Sequence, residues 1–376
     1  MKSKSKQASP IKLIYGSIVG QGSLILVSPI ISRFYTPSDV GVFGIYMAIF
    51  AVLSLVVCLR YESAIPLPEK EKDAATIVFA AGQIVIVMSL IIAAGLMAYA
   101  YISQNEVFTQ NTILIYAVVL SIGVFGFQKI LFFWHIRKGD FGPVAVMRGG
   151  QGISISIAQV LLSFFFASAA GLILGHLIGI TVATVMISFI VVRRSHPHIR
   201  SWLRSVRNWD SIKTQLVTYS KFPRYSIWAD LINSSGSQLP IIILSAQFSV
   251  AIGGLYFMAL RIGNTPATVV AESLGKAYLS KAAAALRSGH LRANTRIFFR
   301  LLLGISIVPY VLIALMVPVL VPFLFGEQWI DAGKYLVYLS PWIFSVFLVA
   351  PLTILYSVLG WQEEELRFQF ILFVGR

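Results

Sequence analysis

The chain has 376 residues, of which 57% are hydrophobic and only 12% charged, with a formal net charge of +15. That balance excludes an ordinary soluble domain. The positive charge is first a matter of membrane orientation and anionic headgroups, not nucleic acid, because the Lys and Arg lie between long apolar stretches.

Ten apolar stretches are long enough to cross a bilayer: 11–32, 41–59, 76–102, 112–134, 143–167, 169–192, 225–246, 251–271, 301–325 and 335–359. About 20 apolar residues at 1.5 Å rise cover a hydrocarbon core of about 30 Å. With the N-terminus inside, the inner segments (1–12, 60–74, 135–142, 193–224, 272–300 and 360–375) hold most of the 30 basic residues. The outer connections hold only Arg33 and Lys334, as the positive-inside rule expects. The sequence predicts an all-α polytopic membrane protein.

The basic start followed by an apolar run from Ile11 is too long for a signal core and is read as an uncleaved first span. Polar groups interrupt that span at Gly20-Gln21-Gly22-Ser23. The second span holds the single cysteine, Cys58, which excludes an intrachain disulfide. It ends at Arg60 and Glu62, either an interfacial anchor or an ion-pair gate. Lys129 in the fourth span and Arg148 in the fifth either snorkel and pack or line the inner mouth of a cavity. Gln151, one turn after Arg148, shares its face. His176 in the sixth span has no second ligand at metal spacing, so no metal site is expected. No P-loop motif is present.

The basic segment 193–224, with Trp202 and Trp209, suits an interfacial helix between two bundles, and 276–296 is similar. The seventh span is polar in its middle: Asp230, Asn233-Ser-Ser-Gly-Ser-Gln238 and Pro240. Gly- or Pro-interrupted spans at matching positions point to a transporter's site, and close helix packing through small residues is the alternative. In the eighth span, Arg261 lies near the bilayer centre. An Arg there costs about 2.5–3.5 kcal/mol on insertion scales, so it faces an interior or water. It either contacts a phosphate or forms a structural ion pair, with Asp230 as one possible partner. Asn264 and Pro266 follow and predict a kink.

Ser28-Pro-Ile-Ile31 is matched by Leu239-Pro-Ile-Ile242, and Gly44-Ile-Tyr46 by Gly254-Leu-Tyr256. Six spans separate equivalent points, which predicts two parallel six-helix bundles related by a pseudo-two-fold along the membrane normal. The expected domains are 1–192, a basic linker 193–224, and a second bundle 225–376. That second bundle is expected to be C-terminally truncated, since the run Phe368-Gln-Phe-Ile-Leu-Phe-Val374 reads as the start of an eleventh span.

Four stretches carry a family resemblance: Arg33-x-x-x-Pro37-x-x-x-Gly41, Arg60-Tyr-Glu-Ser-Ala-Ile-Pro-Leu-Pro68, the segment Gly254–Pro266, and Phe325-Gly-Glu-Gln-Trp329 with Ala332-Gly333. In order and spacing they resemble the polysaccharide-biosynthesis flippases, the O-antigen-transporter branch of the multidrug/oligosaccharidyl-lipid/polysaccharide exporter superfamily. The resemblance implies a non-enzymatic flippase of the bacterial inner membrane, moving undecaprenyl-pyrophosphate-linked oligosaccharide by rocking two bundles about a central cavity. It implies no cofactor and no nucleic acid, with a glycan polymerase and a chain-length regulator as partners. Such a cargo needs cations for phosphate and polar groups for sugar, which makes Arg261, Arg148, Lys129, Gln21, Asn233, Gln238 and Asn264 cavity candidates. Arg60, Glu62 and Asp230 are gate or ion-pair candidates. A cation-coupled exporter of the same superfamily is the alternative, and an enzyme acting on prenyl-linked sugars a further one.

Overall fold

The computed structural model describes residues 11–103, 112–205 and 209–359, with a few positions beyond. The basic start at 1–10, the outer acid Glu106 and most of the apolar run from Phe368 lie outside the described residues. The long elements are helices: α1 Ile11–Phe34, α2 Pro37–Val56, α3 Glu71–Ser103, α4 Thr112–Lys138, α5 Phe141–Ser163 and α6 Ala169–Ser205. After the short α7 Trp209–Thr218 come α8 Ile227–Gln247, α9 Val250–Arg287, α10 Leu291–Phe325, α11 Ile330–Val349 and α12 Ile354–Leu359. In hydrocarbon, every backbone N–H and C=O must be satisfied within the segment, and a helix does that. Among the described residues, six helices are long and apolar enough to cross a membrane, those at 15–34, 37–56, 71–102, 113–138, 169–191 and 327–352. The other expected spans fall on α5, α8, α9 and α10, where the shorter apolar stretches Val250–Asn264 and Leu315–Phe325 occur.

The basic segments are helical, but not as free-standing interfacial helices throughout. Residues 193–205 continue α6, 276–287 continue α9, and α10 begins at Leu291 after a turn at Gly289 (φ 76°). α7 alone is a separate helix, packed on α3. α9 stays helical through 264–266, where the sequence predicts a kink.

By contact the chain divides into two compact units, 1–24 with 45–240 and 25–44 with 241–376. These are groupings by packing, and their limits differ from the bundle limits expected from the repeat. In the first unit α5 packs on α6, α6 on α4, and α4 on α3. Val144, Met147, Ala183 and Ile187 form a buried cluster flanked by Leu131 and Phe132. α1 crosses α5 so closely that a Cβ on Gly152 would strike the Gly20 carbonyl, the approach that small residues permit between membrane helices.

In the second unit α11 packs on α9 and α10, around Ala271, Leu302, Phe347 and Leu348. The unit also holds the turn between α1 and α2. Thr36 caps α2: Asp39 N–H donates to Thr36 Oγ1 (3.2 Å) and Thr36 N–H to Asp39 Oδ2 (3.0 Å), with Pro37 opening the helix. Arg33 Nη2 donates to the Phe323 carbonyl (2.9 Å), and the Ser32 carbonyl accepts from Gln328 Nε2 (2.8 Å) and from the buried Trp329 indole (3.0 Å). A Cβ on Gly254 would meet the Pro37 carbonyl oxygen. Three of the four stretches that carry the sequence resemblance therefore meet at one turn. Burial, then the neighbouring Asp39 carboxylate, pushes the Tyr35 phenol up to about 12, so the turn's tyrosine stays neutral.

Candidate functional site

α2 ends at Val56, and the chain reverses through two consecutive non-glycine residues in left-handed backbone, Leu59 (φ 48°) and Arg60 (φ 62°), before a 3-10 turn at Tyr61–Ala64. Left-handed backbone costs an L-residue roughly 1–2 kcal/mol, and such strain concentrates at functional positions. Here it presents Arg60 and Glu62 to different partners. Glu62 is fully buried, and Lys129 Nζ of α4 lies 2.8 Å from its Oε1. Lys129 also donates to the Ser54 carbonyl at 3.0 Å. Arg60 Nη2 lies 2.7 Å from Asp230 Oδ2 of α8, and its Nη1 4.0 Å from Glu62 Oε1. Tyr61 pins the turn from outside by donating to the Leu216 carbonyl (3.0 Å). The result is a cluster of two cations and two carboxylates.

Two features separate this cluster from a closed structural network. Arg60 Nε is a buried donor and Glu62 Oε2 a buried acceptor, and neither has a hydrogen-bond partner among the described residues. Buried polar atoms are normally satisfied. Nearby, Gln128 Nε2 donates to Gln151 Oε1 (3.2 Å), while Gln128 Oε1 is likewise buried without a partner among the described residues.

The other sequence candidates scatter. Arg148 donates to Ser17 Oγ (2.9 Å) and lies over the Phe132 ring at 5.1 Å, so it ties α1, α4 and α5 together. Gln21 is exposed on α1. Gln238 is half-buried on α8, and the side chain of Asn233 lies outside the described residues. Arg261 and Asn264 are half-buried on α9 in the second unit, where Asn264 Oδ1 has no hydrogen-bond partner among the described residues. Asp230, one partner considered for Arg261, sits against Arg60. The second unit also contains an apolar cavity of about 370 Å³, walled by Ile262, Gly263, Tyr310, Ser340 and Phe344 among others. Its lining suits hydrocarbon, not phosphate.

Sequence reasoning placed Lys129 and Glu62 separately and missed that they pair. The available signal was their opposite charge near the inner ends of two parallel spans, the second and the fourth. It also passed over Gln128 and a buried polar chain in α2, α4 and α6.

The fold has solved counterparts. The chain is similar to an inward-facing multidrug resistance MATE family transporter of the MOP superfamily, with TM-score 0.61, 12% identity, and coverage of 96% of this chain and 84% of that one. At the same coverage it resembles a MOP superfamily transporter from Pyrococcus furiosus (TM-score 0.59, 14% identity) and a Vibrio cholerae MATE transporter (0.56, 12%). This likeness defines the class: an all-helical protein with the MOP-superfamily transporter fold. No curated protein sequence matches the chain significantly. The profile of the polysaccharide biosynthesis protein family matches residues 30–334, and the chain belongs to that family.

Proposed function

We propose that the protein is a flippase for undecaprenyl-pyrophosphate-linked oligosaccharide, carrying it from the cytoplasmic to the periplasmic leaflet for O-antigen, capsule or exopolysaccharide synthesis. In this reading it is a bacterial inner-membrane protein with a cytoplasmic N-terminus, built as two related helical bundles that alternate access. The observation that carries the reading is the Arg60–Glu62–Lys129–Asp230 cluster, whose buried Arg60 Nε and Glu62 Oε2 have no hydrogen-bond partner among the described residues, in a polysaccharide-biosynthesis protein. A phosphate competes with carboxylates for the same cations, and a guanidinium grips it with two parallel bonds. Each carboxylate displaced by phosphate leaves the local charge balance nearly unchanged. Displacing Asp230 also releases α8 from the end of α2. Arg261, on α9, is a further candidate cation for phosphate, and Asn264 on the same helix offers an acceptor to a sugar hydroxyl.

The test is glycan display in cells that depend on this protein for it. Arg60→Gln is expected to abolish surface glycan at normal membrane abundance, and Arg60→Lys to restore only part, because a point charge lacks the fork. Arg261→Gln is expected to behave like Arg60→Gln. Full glycan display by both Gln variants at normal abundance sinks the phosphate role.

The burial of Glu62 favours one second reading, cation-coupled export of small molecules, since it adds a fully buried acid to Asp230. Drug sensitivity that changes on deletion while surface glycan does not would select it.

A further inference from the structure

Away from the charged cluster, the first unit contains a buried chain of polar side chains that the flippase reading does not use. Tyr46 stands at the middle of α2, about 14 Å from its start at 1.5 Å per residue. Its hydroxyl lies 2.6 Å from Ser121 Oγ of α4 and 2.8 Å from His176 Nδ1 of α6. Tyr46 and Ser121 are wholly buried and His176 is 5% exposed. The Phe50 ring stands nearly perpendicular to the imidazole, with centroids 5.1 Å apart, and Phe125 packs on Phe50. Among the described residues, Tyr46 and Phe50 of α2 face the imidazole, with Ser121 behind Tyr46 on α4. α5 approaches next to it, where Gln159 packs against Gly175.

We infer that His176, with Tyr46 and Ser121, is a proton-binding site within the membrane-spanning part of the first unit, and that its occupancy is coupled to transport. The chemistry of the chain carries this. A hydroxyl both donates and accepts, so the Tyr46 and Ser121 hydroxyls can reverse direction together. With neutral imidazole, Tyr46 donates to Nδ1 and accepts from Ser121. With imidazolium, Nδ1–H donates to the Tyr46 oxygen and Tyr46 donates to Ser121. Both states keep their hydrogen bonds without moving a heavy atom. A histidine fixed by a backbone carbonyl would satisfy only the state with a proton on that nitrogen. An ionisable residue inside a membrane span, held by partners that accept either state, is placed to bind and release a proton. Because the chain joins α2, α4 and α6, the direction of its hydrogen bonds reports the proton to α2, the helix that precedes the turn at Arg60 and Glu62. The coupling half of this inference rests on the flippase reading. The proton site does not.

The test has two separable arms on the full chain. In lipid nanodiscs with isotope-labelled imidazoles, one of the five histidine signals is expected to vanish in His176→Asn and, in the wild type, to change protonation state with pH. Asn keeps a polar atom near the Nδ1 position, and His176→Gln serves as the second variant if Asn fails to fold. Tyr46→Phe is expected to shift that titration. A His176 signal that holds one protonation state across the whole range in which the protein stays folded overturns the site. In cells, wild-type glycan export is expected to fall on collapse of the proton gradient, and His176→Asn to lower export at least tenfold and leave the remainder insensitive to that collapse. Wild-type export levels in His176→Asn at normal abundance, still sensitive to the gradient, overturn the coupling. The titration needs no glycan, so failure of the flippase reading shows in the second arm alone.

Discussion

At the scale of single residues, burial decides what Glu62 and Lys129 do to stability. Taking each charge out of water costs several kcal/mol, and their attraction repays that only while both are present. Glu62 is fully buried, and Lys129 is 15% exposed. Lys129→Met is therefore expected to strand the carboxylate and lower stability by about 3–5 kcal/mol, seen as reduced membrane abundance and a lower midpoint of thermal unfolding in detergent. Replacing both, as Glu62→Leu with Lys129→Met, is expected to recover most of that loss without recovering glycan export. Recovery of export along with stability would make the pair purely structural. Arg148 provides the contrast. Its bond to Ser17 is neutral at one end and its ring contact is with Phe132, so Arg148→Met is expected to cost less than Lys129→Met in the same unfolding assay. Neither pairing was legible from sequence: charge and approximate depth were readable, but the facing partner was not.

At the scale of elements, the turn between α1 and α2 shows local sequence and tertiary contact agreeing. Thr36-Pro-Ser-Asp39 specifies a capped helix start, and its hydrogen bonds follow that pattern. What the turn rests on was not local. Trp329, wholly buried, reaches the Ser32 carbonyl from the other side of the turn, and Arg33 reaches Phe323. Trp329→Ala is expected to cost about 3–5 kcal/mol, as for other buried aromatic truncations, read as a lowered unfolding midpoint. Trp329→Phe keeps most of the apolar volume and loses only the indole donor, so a much smaller drop is expected. Gly41 and Gly254 make the same point by shape: a Cβ on Gly41 would meet the Val250 carbonyl. Gly254→Val is expected to prevent this seating and to lower abundance, whereas Gly95→Val, where a Cβ meets nothing within 4 Å, is expected to leave it unchanged.

At the scale of the whole molecule, the asymmetry of Lys and Arg between alternate connections predicts orientation. Reporters fused after Arg204 or Arg287 are expected to signal cytoplasm, and one fused after Gln328 periplasm. Opposite signals would break the proposed topology and the direction of transport with it. The sequence by itself determined that the chain is helical, that it is made of membrane-length apolar segments, and that its motifs are those of a polysaccharide-biosynthesis family, which the family match bears out. Those properties are one-dimensional: segment length, composition and the order of turn residues carry them. The tertiary structure alone decided which residues meet. In a soluble helix the apolar stripe marks the packed face, but a membrane helix is apolar nearly all round, so periodicity does not reveal its rotation. Rotation is what sets Lys129 against Glu62 and not toward headgroups, brings Tyr46 to both Ser121 and His176, and gathers Ser32, Arg33 and Trp329 at one turn. Packing of small residues and a few polar contacts fix that rotation, and both are properties of pairs of helices, not of either sequence alone.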